Sequence, residues 1–218
     1  MTDSYRYVFI FTYGRSGSTL LSGYLNRLPG FCIRGENHMA LADLCGFYNA
    51  IEQSLEQRSK KSGSPTHPWY GVDLIELEEV RTSVRDLFTQ TVLKPEADHH
   101  TLGCKEIRIQ QRDLPDFDGF LNQLITIFQD VKFLFNHRKI EDTAQSMWWR
   151  DTAHSAATIR AMDDRLRYSR YAGASNVFHV QYEDLIKNPD HAQALTRFLG
   201  TGFNEDIYRE VLATRHSY

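Results

Sequence analysis

Short apolar runs alternate along the chain with longer segments in which apolar residues recur every three or four positions. The first run, Tyr7 to Phe11, is continuous and rich in aromatic and β-branched side chains, which is typical of a strand buried on both faces. Similar runs predict strands at 31–34, 101–107, 131–136 and 176–182, and helical spacing predicts helices at about 20–28, 39–55, 72–93, 117–128, 140–171, 189–199 and 204–212. This alternation predicts an α/β fold: a three-layer sandwich with a central, mainly parallel sheet flanked by helices, and with ligands at the carboxyl ends of the strands.

The composition is that of a globular protein, with 41% hydrophobic and 24% charged residues. We expect one domain, 1–218, with a mobile polar loop at about 57–71. The net charge of −3 gives no reason to expect nucleic acid or an anionic membrane as a partner. Because the run at Tyr7 to Phe11 is far shorter than the roughly 20 residues that span a bilayer, we expect a soluble cytoplasmic protein without an integral membrane segment.

Cysteine and histidine spacings give no sign of a metal or redox centre. No C-x-x-C or H-E-x-x-H pattern occurs, and His99 and His100 are adjacent, so their side chains would project in different directions. We therefore expect no bound metal. The three cysteines are expected to be reduced and mostly buried: Cys32, Cys45 and Cys104.

A candidate anion site follows the first strand, where Gly14-Arg15-Ser16-Gly17-Ser18-Thr19 leads into a helix. Small residues let an anion approach the backbone, whose free N–H groups and helix dipole attract negative charge. The triphosphate pattern G-x-x-x-x-G-K-[ST] fails, because Ser18 replaces its lysine and Thr12 its first glycine. Arg15 supplies the cation instead. The loop is thus predicted to bind phosphate, with a purely structural glycine turn as the alternative.

Further motifs follow in order along the chain. They are Arg34-Gly35-Glu36-Asn37, Leu102-Gly103-Cys104-Lys105-Glu106-Ile107-Arg108, Arg138 with Ser146 eight positions later in the following helix, and Val180-Gln181-Tyr182-Glu183-Asp184-Leu185. Together with the glycine loop, they resemble the sulfotransferases that use 3′-phosphoadenosine 5′-phosphosulfate (PAPS), most of all bacterial and carbohydrate-type members. The resemblance spans nearly the whole chain, and it implies a sulfotransferase fold of the P-loop-like type.

The resemblance also implies roles for particular residues. Glu36 would remove the acceptor proton, with His38 as the competing base, and Lys105 would stabilise the transferring group. Arg138 and Ser146 would grip the 3′-phosphate of the donor. The 5′-phosphosulfate would be held by the glycine loop, with Arg15 also counted as catalytic: Gly14, Arg15, Ser16, Gly17, Ser18 and Thr19.

The expected reaction moves a sulfuryl group from PAPS to a hydroxyl of a carbohydrate, glycolipid or other small metabolite, releasing 3′-phosphoadenosine 5′-phosphate (PAP) without a metal. Two alternatives stay open: a P-loop nucleotide kinase or hydrolase, and a non-catalytic nucleotide-binding domain of sulfotransferase type. Trp148 and Trp149 either form an aromatic platform for a sugar or lipid acceptor, or have one ring in the core and the other half exposed on a helix. Since the donor-binding core takes up most of the chain, a second subunit in a homodimer is a further source of acceptor contacts.

Overall fold

Parallel β-strands form the centre of the molecule, whose computed structural model describes residues 5–59 and 61–214. The strands are β1 (Arg6–Phe11), β2 (Phe31–Arg34), β3 (Thr101–Glu106), β4 (Val131–His137) and β5 (Val177–Gln181). They form one sheet in the order β2-β3-β1-β4-β5, and every neighbouring pair is parallel. All five predicted strands are confirmed, each to within one residue of its predicted ends.

Strand β1 occupies the middle of the sheet and is buried on both faces, as its continuous apolar run predicts. Tyr7, Phe9 and Phe11 pack into one hydrophobic cluster. Val8 and Ile10 point to the opposite face and pack into a second cluster. Gly103 of β3 sits beside this strand, and a Cβ atom there would lie only 1.7 Å from the carbonyl oxygen of Val8. The close contact between the two backbones accounts for a glycine within a strand.

Helices cover both faces of the sheet and complete the predicted three layers. Leu41, Val84, Leu121 and Ile159 pack into the cluster on one face, and residues of the first, eighth and ninth helices pack into the cluster on the other. The helices are α1 (Ser18–Leu25), α2 (Ala40–Leu55), α3 (Leu77–Phe88), α4 (Phe117–Phe128), α5 (Ile140–Ala144), α6 (Ser155–Arg167), α7 (Tyr182–Lys187), α8 (Pro189–Leu199) and α9 (Glu205–Ala213).

The prediction of one long helical region at 140–171 is wrong. Helix α5 ends at Ala144, a short 3₁₀ helix follows at Met147–Trp149, and α6 begins only at Ser155. Ser146 has extended backbone, with φ −97° and ψ 125°, so it lies between helices rather than inside one. The break brings the Trp149 ring into the core, where its indole N–H donates to the carbonyl oxygen of Gly14 over 2.8 Å. A tertiary contact therefore overrides the helical spacing of this segment.

The segment predicted as one helix at 72–93 forms three successive helical elements of different types. Helix α3 is preceded by a 3₁₀ helix at Val72–Leu74 and followed by a π-helical turn at Thr89–Leu93. The polar loop at 57–71 consists mainly of turns in its described residues, and the Arg58 guanidinium ties it to the carbonyl oxygen of Ile75 over 2.8 Å. Its mobility stays a prediction.

Burial of the cysteines is confirmed: Cys32, Cys45 and Cys104 are free thiols in the interior. Burial raises the pKa of Cys45 to about 12, so this thiol is a packing group rather than a nucleophile. Within 5–59 and 61–214, none of the helices is both long enough and apolar enough to cross a membrane.

Candidate functional site

A cleft of about 520 Å³ opens where the carboxyl ends of β1, β3 and β4 meet. It brings together most of the residues that the motifs single out. Its lining includes Gly14, Arg15, Gly17, Ser18, Thr19, Glu36, Lys105 and Arg138. Two predicted residues lie beside the cleft rather than in its lining. Ser16 is buried behind the glycine loop, and Ser146 accepts a hydrogen bond from Arg15.

The glycine loop has the backbone of an anion cradle. Arg15 and Gly17 both adopt left-handed conformations, with φ 66° and φ 83°, on either side of Ser16. Such alternation turns successive backbone N–H groups toward one concave surface. Helix α1 begins directly after Gly17, and within the described part of the chain no side chain caps it and no acidic residue occupies its first turn. Its N-terminal N–H groups are therefore available to a negatively charged ligand.

Aromatic rings close on the loop from two sides and explain its glycines. A Cβ atom at Gly14 would lie 2.4 Å from Cζ2 of Trp148, and one at Gly17 would lie 2.1 Å from Cδ2 of Tyr182. Trp148 is half exposed and lines the cleft, whereas Trp149 is buried. The pair therefore has the expected alternative arrangement, with one ring in the core and one half exposed on a short helix, and the acceptor platform stays a prediction for Trp148.

Beneath the loop, polar contacts tie it to the end of β4. Thr12 Oγ1 lies 2.7 Å from Ser16 Oγ and 2.7 Å from the carbonyl oxygen of Asn136. The side-chain amide of Asn136 donates to the carbonyl oxygen of Ser16 over 3.0 Å. The Ser16 hydroxyl therefore faces the interior, and only its backbone can serve a ligand in the cleft.

Two arginines meet at the loop. Arg138 Nη1 donates to the carbonyl oxygen of Arg15 over 2.9 Å, and its Cζ lies 4.7 Å from the centre of the Tyr182 ring. Arg15 Nε donates to Ser146 Oγ over 3.2 Å. Among the described residues, neither guanidinium forms an ion pair, and the buried Nε of Arg138 has no hydrogen-bond partner. Although burial raises the pKa of the Glu183 carboxyl group, hydrogen bonds and the nearby Arg138 guanidinium hold it below its ordinary value. Two guanidinium groups without an ion pair form a site for a multiply charged anion.

A carboxylate and an ammonium group face the same cleft from neighbouring strands. Glu36 follows β2 and Lys105 lies near the end of β3, so the parallel pairing of these strands brings them together. Lys105 Nζ lies 2.6 Å from Glu36 Oε1. The Lys105 side chain is 11% exposed and that of Glu36 is 40% exposed, so the carboxylate is the member that solvent or a second substrate reaches. The alternative base, His38, is exposed but lies outside the lining of the cleft.

Glu106 supports the loop that carries Glu36, a function that motif reasoning missed. Its Oε1 accepts hydrogen bonds from the backbone N–H groups of Asn37, over 2.9 Å, and Met39, over 3.2 Å. Both His38 and Met39 have left-handed backbone, with φ 59° and φ 62°, so this turn needs an anchor. Burial raises the pKa of Glu106, against the effect of these two hydrogen bonds. The signal in the sequence is a second charged residue directly after Lys105, at the end of a predicted strand.

A metal centre is not evident in 5–59 and 61–214, where no group of three or more histidine, cysteine, aspartate or glutamate side chains could hold an ion. The expectation that the reaction needs no metal stays a prediction.

A comparison with models of known protein families gives a match over most of the chain. A profile described as the sulfotransferase family matches residues 7–205. The chain belongs to the sulfotransferase family. A member of this family needs a sulfate donor. Membership therefore favours a sulfotransferase over the kinase or hydrolase alternative. A search of the curated proteins finds no match to this sulfotransferase.

Solved sulfotransferase structures share the fold. The sulfotransferase domain from the Synechococcus PCC 7002 olefin synthase is 21% identical, with a TM-score of 0.53, and the match covers 95% of this chain and 77% of that one. Sulfotransferase STF9 from Mycobacterium avium is 15% identical, with a TM-score of 0.52, and the match covers 96% of this chain and 68% of that one. These likenesses confirm the predicted fold class.

Proposed function

We propose that this member of the sulfotransferase family moves a sulfuryl group from PAPS to a hydroxyl of a carbohydrate, glycolipid or other small metabolite. The observation that carries the proposal is the presence, in one cleft, of a glycine-rich anion cradle, two guanidinium groups without ion pairs, and the Glu36–Lys105 pair. The anionic donor needs the cradle and the guanidinium groups, and the acceptor hydroxyl needs the Glu36–Lys105 pair beside them.

The donor is held at the glycine loop. Arg15 and the backbone of the loop residues, Gly14 to Thr19, bind the 5′-phosphosulfate, while Arg138 and Ser146 bind the 3′-phosphate. Two features support this assignment: Arg138 is held against Tyr182, and Ser146 already accepts a hydrogen bond from Arg15. Both arginines lie close enough to serve one donor that carries two anionic groups.

Transfer of the sulfuryl group takes place beside the Glu36–Lys105 pair. Glu36 accepts the proton of the acceptor hydroxyl, whose oxygen forms a bond to sulfur as the bond between sulfur and the phosphate oxygen of PAPS breaks. PAP leaves with the electron pair of that bond, and Lys105 and Arg15 stabilise the negative charge on the sulfonyl and leaving oxygens. Lys105 is buried and hydrogen-bonded to Glu36, which supports its position beside the reacting atoms.

The acceptor is expected to lie against Trp148, which lines the same cleft as Glu36 and is half exposed. An indole face packs well against the apolar face of a sugar ring or against an alkyl chain. A homodimer in which the partner adds acceptor contacts is part of this proposal.

The test is transfer of labelled sulfate from PAPS into a panel of sugars, glycolipids and fractionated metabolites. We expect a labelled product with the wild-type protein and almost none with Glu36→Gln. Glu56→Gln, at an exposed glutamate just after α2, is the matched control and should retain full activity. PAPS binding without a product across the panel would favour the non-catalytic alternative. Turnover of the γ-phosphate of ATP without sulfate transfer would favour the kinase or hydrolase.

A further inference from the structure

A chain of hydrogen bonds runs through the interior beside the cleft. His137 Nδ1 lies 2.6 Å from Asp163 Oδ1, and His137 Nε2 lies 2.8 Å from His179 Nδ1. The chain ends where His179 Nε2 lies 2.9 Å from the carbonyl oxygen of Ala172. His137, at the end of β4, and Asp163, on α6, are almost completely buried. The function proposed above uses none of these side chains.

Both ends of this chain are hydrogen-bond acceptors, which determines how many protons the two imidazoles need. A carboxylate and a carbonyl can only accept, so His137 Nδ1 and His179 Nε2 must each carry a hydrogen. The contact between the two rings needs a third hydrogen. Because two neutral imidazoles have only two N–H groups between them, all three contacts exist together only when the pair holds one additional proton.

Asp163 is the carboxylate that balances this proton. Although burial raises the pKa of Asp163, hydrogen bonds from His137 and Arg167 hold it below its ordinary value. Arg167 Nε donates to Asp163 Oδ2 over 2.6 Å. The titratable and charged groups that act on His137 are Asp163 and Arg167 from α6 and His179 from β5. Tyr13, from the loop after β1, contacts Asp163.

Tyr13 connects this series of hydrogen bonds to Arg138. The Tyr13 hydroxyl accepts a hydrogen bond from the backbone N–H of Arg138, and it lies close to the Arg138 carbonyl oxygen, both over 2.8 Å. It also lies 3.2 Å from Asp163 Oδ1. Burial raises the pKa of Tyr13, so this hydroxyl keeps its proton. Since Arg138 also follows His137 directly in sequence, two links join the His137–Asp163 contact to the backbone that carries the Arg138 guanidinium: the peptide bond and the Tyr13 hydroxyl.

We propose that His137 and His179 share one proton, and that this protonated pair positions Arg138 for the donor. The inference rests on the proposed function for the identity of that donor. When the proton leaves, only two hydrogens remain for the contacts of the pair with Asp163, between its two rings and with Ala172, so one of these contacts changes from a hydrogen bond into a repulsion between lone pairs. Burial lowers the pKa of His137, against the effect of Asp163, so the proton is lost as the pH rises toward neutrality. Donor affinity is therefore expected to be higher at mildly acidic pH than at neutral pH.

The shared proton is measured directly by NMR on wild-type protein labelled with ¹⁵N-histidine. We expect three of the four ring nitrogens of His137 and His179 to carry protons at about pH 5.5, and two at the alkaline end of the titration. A pair that stays neutral from about pH 5.5 to about pH 8, or that takes up two protons, would overturn the inference. This measurement needs neither donor nor activity.

The link to the donor is measured by PAP binding as a function of pH. His179→Asn places an amide N–H near the position of Nδ1, where it donates to neutral His137 and removes the need for the extra proton. For the wild type we expect the dissociation constant to rise about three- to tenfold from about pH 5.5 to about pH 7.5, relative to His179→Asn. Taking the ratio removes the titration of the PAP phosphates, which is common to both proteins.

His154→Asn is the matched control, because His154 is exposed and its left-handed backbone, with φ 58°, suits asparagine. It should keep the pH dependence of the wild type. PAP binding with equal pH dependence in the wild type and His179→Asn would overturn the inference alone. PAP that binds neither protein at any pH would overturn the proposed function, and with it the link to the donor, while the NMR titration still decides whether the proton is shared. If His179→Asn does not fold, the NMR titration decides whether the proton is shared, and the link to the donor is decided by whether the PAP affinity of the wild type changes at the midpoint of that titration; no change there would overturn the link.

Discussion

The two loops that face each other across the cleft are built in opposite ways. In the glycine loop, Thr12, Tyr13 and Ser16 are all fully buried, and the rings of Trp148 and Tyr182 close on its glycines. In the other loop, residues 35–39, Glu36 and His38 are exposed. Its described anchors include the two hydrogen bonds to Glu106 and the ion pair of Glu36 with Lys105.

Under the proposed function, this difference separates donor binding from sulfuryl transfer. A loop held by its own core is preorganised for one ligand of constant shape, as a nucleotide donor would be. An exposed loop leaves room for a second substrate and keeps its carboxylate within reach of that substrate's hydroxyl. Substitutions in the first loop should therefore change donor affinity, and substitutions in the second should change turnover.

The largest expected effect is on turnover. Glu36→Gln keeps the size of the side chain but removes the base, so kcat should fall by about 10² to 10⁴ while PAP affinity stays nearly unchanged. Steady-state kinetics and calorimetric titration with PAP measure the two quantities, with Glu56→Gln as the control. A loss of less than about tenfold would exclude Glu36 as the base and turn attention to His38.

Arg138→Ala tests the proposed donor-binding site. It removes a guanidinium that projects into the cleft from a buried position, and PAP affinity should fall by about 2 to 5 kcal/mol. Arg112→Ala, at an exposed arginine, should leave the affinity unchanged. If calorimetry gives the same PAP affinity for Arg138→Ala and the wild type, Arg138 has no part in binding the donor.

Gly17→Ala tests whether the rings hold the loop. The new methyl group would meet Tyr182 at 2.1 Å, on backbone with φ 83°, so the free energy of unfolding should fall by about 1 to 3 kcal/mol, with weaker PAP binding. Gly46→Ala, within α2 and with open space around it, should instead be neutral or stabilise by up to about 1 kcal/mol. Chemical denaturation compares the two variants, and equal stabilities would contradict the tight packing.

The smallest expected effect concerns Glu106. Because burial raises its pKa in the folded state, the folded protein binds more protons than the unfolded chain, and this group makes the protein less stable as the pH rises above the unfolded pKa. Glu106→Gln keeps an acceptor oxygen for the two backbone N–H groups but removes this titration. Denaturation from about pH 4 to about pH 7 should show the variant gaining stability relative to the wild type. A difference that does not change with pH would contradict the raised pKa.

Prediction from sequence succeeded where the signal was local. The strand, glycine loop and helix around Arg15 follow from a continuous apolar run and small residues, and the parallel order of strands places Lys105 beside Glu36. It failed at Ser146, because helical spacing within 140–171 says nothing of the contact between Trp149 and Gly14 that breaks the helix. Asp163 has a signal in the sequence, because it is a charged residue among the apolar positions on the buried side of α6.

The sequence by itself determined the strand ends, because periodicity and turn residues act over a few neighbouring positions. Its motifs, through their resemblance to the sulfotransferases, indicated the family and most of the residues that line the cleft. Only the tertiary structure decided which side chains touch. His137 and His179 are 42 positions apart and meet because β4 and β5 pair in one particular register, in which His137 lies opposite Gln181 and Phe135 opposite His179. That register depends on packing across the whole sheet, so no local pattern reveals that two imidazoles lie next to each other.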